Sequence, residues 1–376
     1  MTEKIARFLV EHKPETPCLV VDLDVVAENY ARLCRLLPLA QIYYAVKANP
    51  APEILKLLVE LGSNFDSASV FEVEECVRAG VKPERISFSN TIKKERDIAR
   101  AYELGVRLFA FDSEAELEKL ATAAPGSHVY CRLLISNEGA DWPLSEKFGC
   151  EIEMARNLLV KARDLGLDPY GVAFHVGSQQ RDVSKWDIAI GRTAMLFSAL
   201  NEVGIELKML NLGGGFPAHY RTEAPPLDDY ARAIMNALTR HFGNKLPDLM
   251  VEPGRIMTGD AGIIQAEVVL ISRKSYDEDR RWVYLDIGKF GGLVETIGEC
   301  IRYRIRTPKD GGPVGPVVLA GPTCDGEDVL YDKADYKLPL GLDVGDKIEI
   351  LSTGAYTTTY CSVGFNGFPP LKAYYI

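Results

Sequence analysis

The feature that most constrains this chain is a rhythm. Between residues 42 and 251, short β-rich apolar runs alternate with longer stretches of helical period. The predicted strands are Ile42–Val46, Asn64–Ala68, Ile86–Ser89, Leu108–Phe111, Val129–Leu133, Gly171–Val176, Met209–Leu212 and Leu249–Val251. Between them lie segments such as PEILKLLVELG, ASVFEVEECVRAG, ERDIARAYELG and SEAELEKLATAA. Several of these close on Gly, a common helix stop. Strands that alternate with helices pair in parallel, because the helix carries the chain back across the sheet. Eight such units over roughly 230 residues predict a (β/α)8 barrel of the TIM type. An open doubly wound sheet is the rival arrangement.

The texture changes after about residue 256. IIQAEVVLISRK, RRWVYLDIG, GPVVLAG, DKIEILSTGAY and LKAYYI read as strands, and DEDR and KDGGPVG as hairpin tips. A mostly β second domain is expected there. The early segment TPCLVVDLD is strand-like too and is expected to pair with the C-terminal sheet. The predicted division is therefore 23–258 for the barrel, with 1–22 and 259–376 forming the β domain. A chain of 376 residues is long enough for both.

Composition narrows the function classes. The net charge of −10 makes nucleic-acid binding a poor fit, since phosphates need a positive surface, and mildly suits a cationic small substrate. The eight cysteines form no C-x-x-C pair, so neither zinc nor a disulfide framework is expected, and no metal ligand is assigned. Charges interrupt MTEKIARFLVEHKPETP, which argues against a signal peptide. No run reaches the ~18 apolar residues of a membrane span. The expected location is the cytoplasm.

In such barrels the active site lies at the C-terminal ends of the strands. Unusual residues recur there: Lys47, Asp66, Arg132, His175, Gly213 to Gly215, and Glu252 with Arg255 beyond it. Each has a plain structural reading beside the chemical one. Lys47 is either a surface lysine or a Schiff-base lysine, whose amine condenses with an aldehyde cofactor. The glycine triplet is either a tight turn or a place where backbone N–H groups approach a phosphate, with Arg255 adding a charge-assisted contact. Glu252 is either half of a salt bridge or a carboxylate that keeps a pyridine nitrogen protonated. His175 is either a core histidine or a flat ring stacked on a cofactor. In the β domain, Cys324 and Asp325 occupy a Gly-rich loop, GPTCDGEDVL. It is either a surface turn or a proton donor beside a cation anchor. Tyr356 in STGAY is either a half-buried tyrosine or a phosphate ligand.

Taken together, YYAVKAN, FDSAS, FHVGSQ, GGGFP, EPGR, GPTCDGED, GAYT and FNGF resemble the fold-type III pyridoxal-phosphate decarboxylases that act on ornithine, lysine, diaminopimelate and arginine. They run in order from about residue 43 to 368. The resemblance implies an alanine-racemase-like barrel with a β domain, and a homodimer with active sites at the subunit interface. It implies that Lys47 holds the cofactor covalently, Glu252 pairs with its ring nitrogen and His175 stacks on the ring. Ser178, Gly213, Gly214, Gly215, Arg255 and Tyr356 would hold the phosphate, with Asp66 and Arg132 near the lysine and the ring. Cys324 and Asp325 would act across the interface: Cys324 would protonate the substrate carbon after CO2 leaves, and Asp325 would bind the distal ammonium.

The C-D-G motif resembles ornithine and lysine decarboxylases, whereas diaminopimelate enzymes more often carry Glu after that Cys. The compact length argues against the longer biosynthetic arginine enzymes. The resemblance departs at GKFGGLVETIGEC, the stretch that sets pocket depth, where the usual aspartate is absent and Glu295 or Glu299 is its expected substitute. The expected reaction is decarboxylation of L-ornithine to putrescine, a polyamine-forming step. Lysine is one methylene longer, a difference worth only ~1–3 kcal/mol, so dual ornithine/lysine or lysine activity stays open. A racemase and a non-catalytic homologue that binds the cofactor are the readings from other classes.

Overall fold

The computed structural model describes residues 1–136, 138–142 and 146–376. They divide into two compact units: Ala27–Pro217 with Ala224–Gly254, and Met1–Val26 with Ala218–Glu223 and Arg255–Ile376.

The first unit is a closed parallel barrel. Its strands are β1 (Ala40–Ala45), β2 (Asn64–Ser67), β3 (Ile86–Phe88), β4 (Leu108–Phe111), β5 (His128–Arg132), β6 (Asp168–Ala173), β7 (Met209–Asn211) and β8 (Asp248–Val251). All eight expected runs are barrel strands. Closure comes from β8 pairing with β1, with Leu249 opposite Ala40 and Val251 opposite Ile42. The interior is filled as the period-2 pattern requires. Tyr43, Ala110, Tyr130, Ala173, Met209 and Met250, each from a different strand, form one buried cluster. The connecting helices bury their apolar stripes: Ile54, Leu55 and Leu58 on Pro52–Glu60, and Val70, Val73 and Cys76 on Val70–Arg78. Ser69 caps the latter helix by accepting from the Glu72 N–H at 3.3 Å. A closed parallel sheet has a defined C-terminal rim, and that rim collects the loops described below.

The second unit is built on a sheet running Ile305–Arg306, Lys347–Leu351, Gly262–Ser272, Arg281–Leu285, Val314–Ala320, Val329–Pro339. The 11-residue strand Gly262–Ser272 is its spine. Its first half pairs with Lys347–Leu351 on one side and with Cys18–Val21 on the other. Its second half, past a bulge at Val268/Leu270, pairs with Arg281–Leu285. Cys18–Val21 also lies parallel to Lys372–Tyr375, so both ends of the chain meet in one sheet, as TPCLVVDLD suggested. The helix Glu3–His12 packs Ile5 and Leu9 onto Cys18, Val20 and Ile263.

Two sequence expectations need correction here. DEDR joins an antiparallel pair, but KDGGPVG does not: Ile305–Arg306 pairs with Lys347–Leu351, while Val314–Ala320 pairs with Arg281–Leu285 and Val329–Pro339. The Gly-rich stretch is a crossover between strands that are not neighbours. The long strand Val329–Pro339 was not anticipated, because its Asp and Lys residues hide the alternation that a half-buried strand shows.

Among the described residues, no helix is long and apolar enough to cross a membrane.

Candidate active site

The barrel places nine of the expected residues at one rim. Lys47 lies in the 3-10 turn Val46–Ala48 directly after β1, Asp66 in β2, and Arg132 as the last residue of β5. His175 follows β6, the glycine triplet follows β7, and Glu252 follows β8. Ser178 opens the short strand Ser178–Gln180 just beyond His175.

The electrostatics at this rim are strained in one direction. Lys47 Nζ lies 3.8 Å from Asp66 Oδ2, and the lysine side chain is half exposed. Asp66 is 1% exposed, and neither carboxylate oxygen has a hydrogen-bond partner among the described residues. Leaving such a group without a donor costs about 1–3 kcal/mol or more, the mark of a site built around something else. Burial, with the Asp66 charge second, pushes the Glu252 carboxyl up to about 7; Lys47, a hydrogen bond from Asn211 and Arg132 pull the other way. Glu72 is also held up to about 7, chiefly by burial, against the pull of the Ala68 N–H that it accepts. His175 is held well below its ordinary range by burial and then by the Arg132 and Lys47 charges. Its Nδ1 accepts the Gly177 N–H at 3.2 Å, so the neutral ring carries its proton on Nε2. Burial likewise lowers the Arg132 guanidinium, which lies 5.0 Å from the Phe148 ring centre.

The glycine triplet is required by close approach. A Cβ on Gly213 would sit 2.3 Å from the Phe174 carbonyl oxygen, on Gly214 2.4 Å from that of Glu252, and on Gly215 2.4 Å from that of Gly177. Gly213 and Gly215 also have φ of 66° and 98°. The triplet therefore draws the loops after β6, β7 and β8 together, backbone to backbone. One residue that the sequence reading missed binds this arrangement. The fully buried Asn211, last in β7, donates from Nδ2 to Glu252 Oε1 and accepts the Gly213 N–H on Oδ1 at 2.8 Å. An asparagine closing an apolar strand just before G-G-G was the available signal. Glu72 was also missed; it lies three residues past an N-cap serine, where it reads as an ordinary capping glutamate.

In the β-rich unit, Arg255 opens the turn Arg255–Thr258 and is buried. Its guanidinium donates to both oxygens of Glu295 and to the Tyr220 hydroxyl, and lies 4.7 Å from the centre of the Tyr356 ring. Tyr356 has a φ of 56°. Cys324 and Asp325 are exposed. The Cys324 N–H donates to Asn366 Oδ1 at 2.7 Å, and Asp325 Oδ1 accepts the Glu327 N–H at 2.8 Å. Beneath them the buried Asp328 organises the loop, accepting from the Thr323 N–H and hydroxyl and from the Lys289 N–H. Gly288 and Gly321 exist to admit it, since a Cβ on either would meet its carboxylate at 2.0 and 2.4 Å.

Glu295 or Glu299 was expected to face the substrate. The structure turns Glu295 inward onto Arg255 instead. Glu299 Oε1 accepts the N–H groups of Asp332 and Lys333, both at 2.7 Å, and the residue lines a cavity of about 510 Å3 with Trp282, Lys289, Arg302 and Asp332. Glu299 is thus placed at a cavity, and Glu295 at Arg255.

The rim thus carries a half-exposed amine, a neutral imidazole and buried carboxylates. Residues 23–259 match the pyridoxal-dependent decarboxylase, pyridoxal binding domain family, and the chain belongs to it. It is 38% identical over 370 residues to the lysine/ornithine decarboxylase of Selenomonas ruminantium, covering 98% of this chain and 91% of that one. Among solved structures, it resembles the Vibrio vulnificus lysine/ornithine decarboxylase complexed with cadaverine, with a TM-score of 0.87 and 31% identity over 99% and 97% of the two chains. It also resembles the arginine decarboxylase of Paramecium bursaria Chlorella virus, with a TM-score of 0.91 and 29% identity over the whole of both. The cofactor is pyridoxal phosphate, and the rim fits it. Lys47 would offer an amine to the aldehyde, Glu252 a buried carboxyl to the ring nitrogen, and His175 an uncharged ring. The chain is a member of a family of basic amino acid decarboxylases.

Proposed function

We propose that the protein decarboxylates L-ornithine, giving putrescine and CO2, and that it works as a homodimer. The observation that carries the reading is the convergence of Lys47, Asp66, His175 and Glu252 on one barrel rim, in a chain whose exposed β-unit loop reads C-D-G. When bound, pyridoxal phosphate supplies an electron sink for the pair left behind as CO2 departs.

The chain's own residues do the rest. Lys47 holds the cofactor through its amine and exchanges it for the substrate amine. Glu252, a buried carboxyl, would face the ring nitrogen and keep it protonated. Neutral His175 packs against the ring without adding charge that would oppose a protonated nitrogen. Asp66 and Arg132 set the charge beside Lys47. Gly213 to Gly215, Ser178, Arg255 and Tyr356 are the residues that the family resemblance assigns to the phosphate. Cys324 holds the proton delivered to the α-carbon, and Asp325 takes the distal ammonium; their exposure suits groups that act across a subunit interface. Glu299 is the remaining candidate for a second carboxylate at that ammonium.

Dual ornithine/lysine activity is the second reading, favoured by the 38% identity to a lysine/ornithine decarboxylase. The test is CO2 release from the cofactor-loaded protein with ornithine, lysine, diaminopimelate and arginine side by side. Ornithine well above lysine supports the first reading, and equal kcat/KM values support the second. Silence on all four removes the substrate assignment.

A further inference from the structure

The stretch GKFGGLVETIGEC departs from the pattern that the rest of the chain follows, and its geometry gives the departure a use. Gly292 has a φ of 126°, which swings the chain into the turn Val294–Glu299 and sends Glu295 into the interior of the β-rich unit. There Glu295 meets Arg255 as a bidentate pair, with Nη1 to Oε2 at 2.7 Å and Nη2 to Oε1 at 2.5 Å. The two side chains are 2% and 3% exposed. The Tyr220 hydroxyl accepts from Nη1 at 2.8 Å, and the ring of Tyr220 stands edge-on to buried Tyr303.

We infer that Glu295 is a positioning residue for Arg255 and not a ligand of the substrate. The inference rests on the proposed assignment of Arg255 to the cofactor phosphate. A guanidinium is planar, with its five N–H donors fixed relative to one another. Two parallel bonds to one carboxylate, with a third to a tyrosine, therefore fix the plane of the whole guanidinium. The carboxylate also makes it possible to bury the arginine before any anion arrives, since an unpaired buried charge is strongly disfavoured. Arg255 is thus oriented by the protein itself, and the cost of arranging it does not fall on cofactor binding.

The test compares pyridoxal phosphate with pyridoxal, which lacks the phosphate. Both are titrated into the apoprotein by absorbance, and the ratio of the two dissociation constants reads the phosphate contact alone. Glu295→Asp is the decisive variant, because it keeps the charge and shortens the reach; Glu295→Gln removes the charge at constant size. Arg255→Met tests the underlying assignment. Thermal melting of each apoprotein checks the fold. The expected result is a ratio about tenfold smaller in Glu295→Asp and in Glu295→Gln, with pyridoxal binding unchanged, as loss of charge-assisted hydrogen bonds predicts. Arg255→Met lowers it at least as far. A wild-type ratio in Glu295→Asp, with a lowered one in Arg255→Met, overturns the inference and leaves the phosphate assignment standing. Equal weakening of both ligands in Glu295→Asp also overturns it, since Glu295 would then support only the fold. An unchanged ratio in Arg255→Met removes the phosphate assignment itself. Should Glu295→Gln fail to fold, Glu295→Asp decides alone.

Discussion

The barrel rim and the Cys324 loop are prepared for chemistry in opposite ways. At the rim, ionisable groups are buried: Asp66 has no hydrogen-bond donor among the described residues, and Glu252 and Glu72 sit near 7. Three glycines hold the loops so close that no side chain fits between them. In the Cys324 loop the reactive groups are exposed, and the buried Asp328 beneath them is fully engaged with backbone and Thr323. One region stores the electrostatic demand that a cofactor relieves. The other presents a thiol and a carboxylate on a firm base, with no demand of its own.

The contrast can be broken most sharply at Lys47. Lys47→Ala should lower CO2 release by roughly 10^4-fold or more, since residues that carry the chemistry as a unit lose nearly everything when one is removed. A smaller loss would mean that the rim is not the reacting centre. Cys324→Ala should cost about 10^2-fold or more in kcat, the range for a displaced general acid, with the cofactor absorbance intact. Mixing the two inactive variants should restore measurable activity if the groups act across subunits. No recovery after confirmed subunit exchange would place both in one chain's site.

Packing gives the next test. Gly214→Ala puts a Cβ against the Glu252 carbonyl, a backbone atom that cannot rotate away, and should destabilise the apoprotein by about 1–3 kcal/mol in denaturant melts. Gly326→Ala, in the Cys324 loop, meets nothing within 4 Å and should change stability by less than about 0.5 kcal/mol. Equal effects would erase the distinction between a tight rim and an open loop.

The last test is electrostatic. An acid raised from 4.5 to about 7 binds more protons folded than unfolded across that window. Stability therefore falls as pH rises from about 4.5 to 7, and the loss is complete above it. Glu252→Gln should raise apoprotein stability by about 1–3 kcal/mol at pH 8 and leave it nearly unchanged at pH 4. Stabilisation that is the same at both pH values would show that the carboxyl is not strained.

Much of the barrel was legible because a parallel barrel writes its strands as apolar runs and its helices as one-sided stripes. The rim residues were legible for the same reason: Lys47, His175 and Glu252 are polar where an apolar run stops. What stayed hidden depends on partners remote in sequence. Asn211 looks like an ordinary strand end until Glu252, 41 residues on, accepts its hydrogen bond. Glu295 looked like a substrate ligand because the sequence shows its charge but not Arg255, 40 residues away, that claims it. Val329–Pro339 was missed because the tyrosines that anchor it, Tyr331 and Tyr336, bond to the carbonyls of Ile301 and Tyr303, in a segment with no strand signal.

The strand Cys18–Val21 carries a consequence for how the chain is made. It lies beside Lys372–Tyr375 in one register and Gly262–Gln265 in another. During synthesis the barrel strands, all between Ala40 and Val251, leave the ribosome as a block and have every partner they need. Cys18–Val21 emerges before them, and after Gly262–Gln265 has covered one edge the other still waits for Lys372–Tyr375. Folding by domains in order of synthesis thus applies to the barrel alone, while the other unit closes only after translation has passed residue 375. An exposed, fully apolar strand held open for that interval is where this chain is most vulnerable to mispairing.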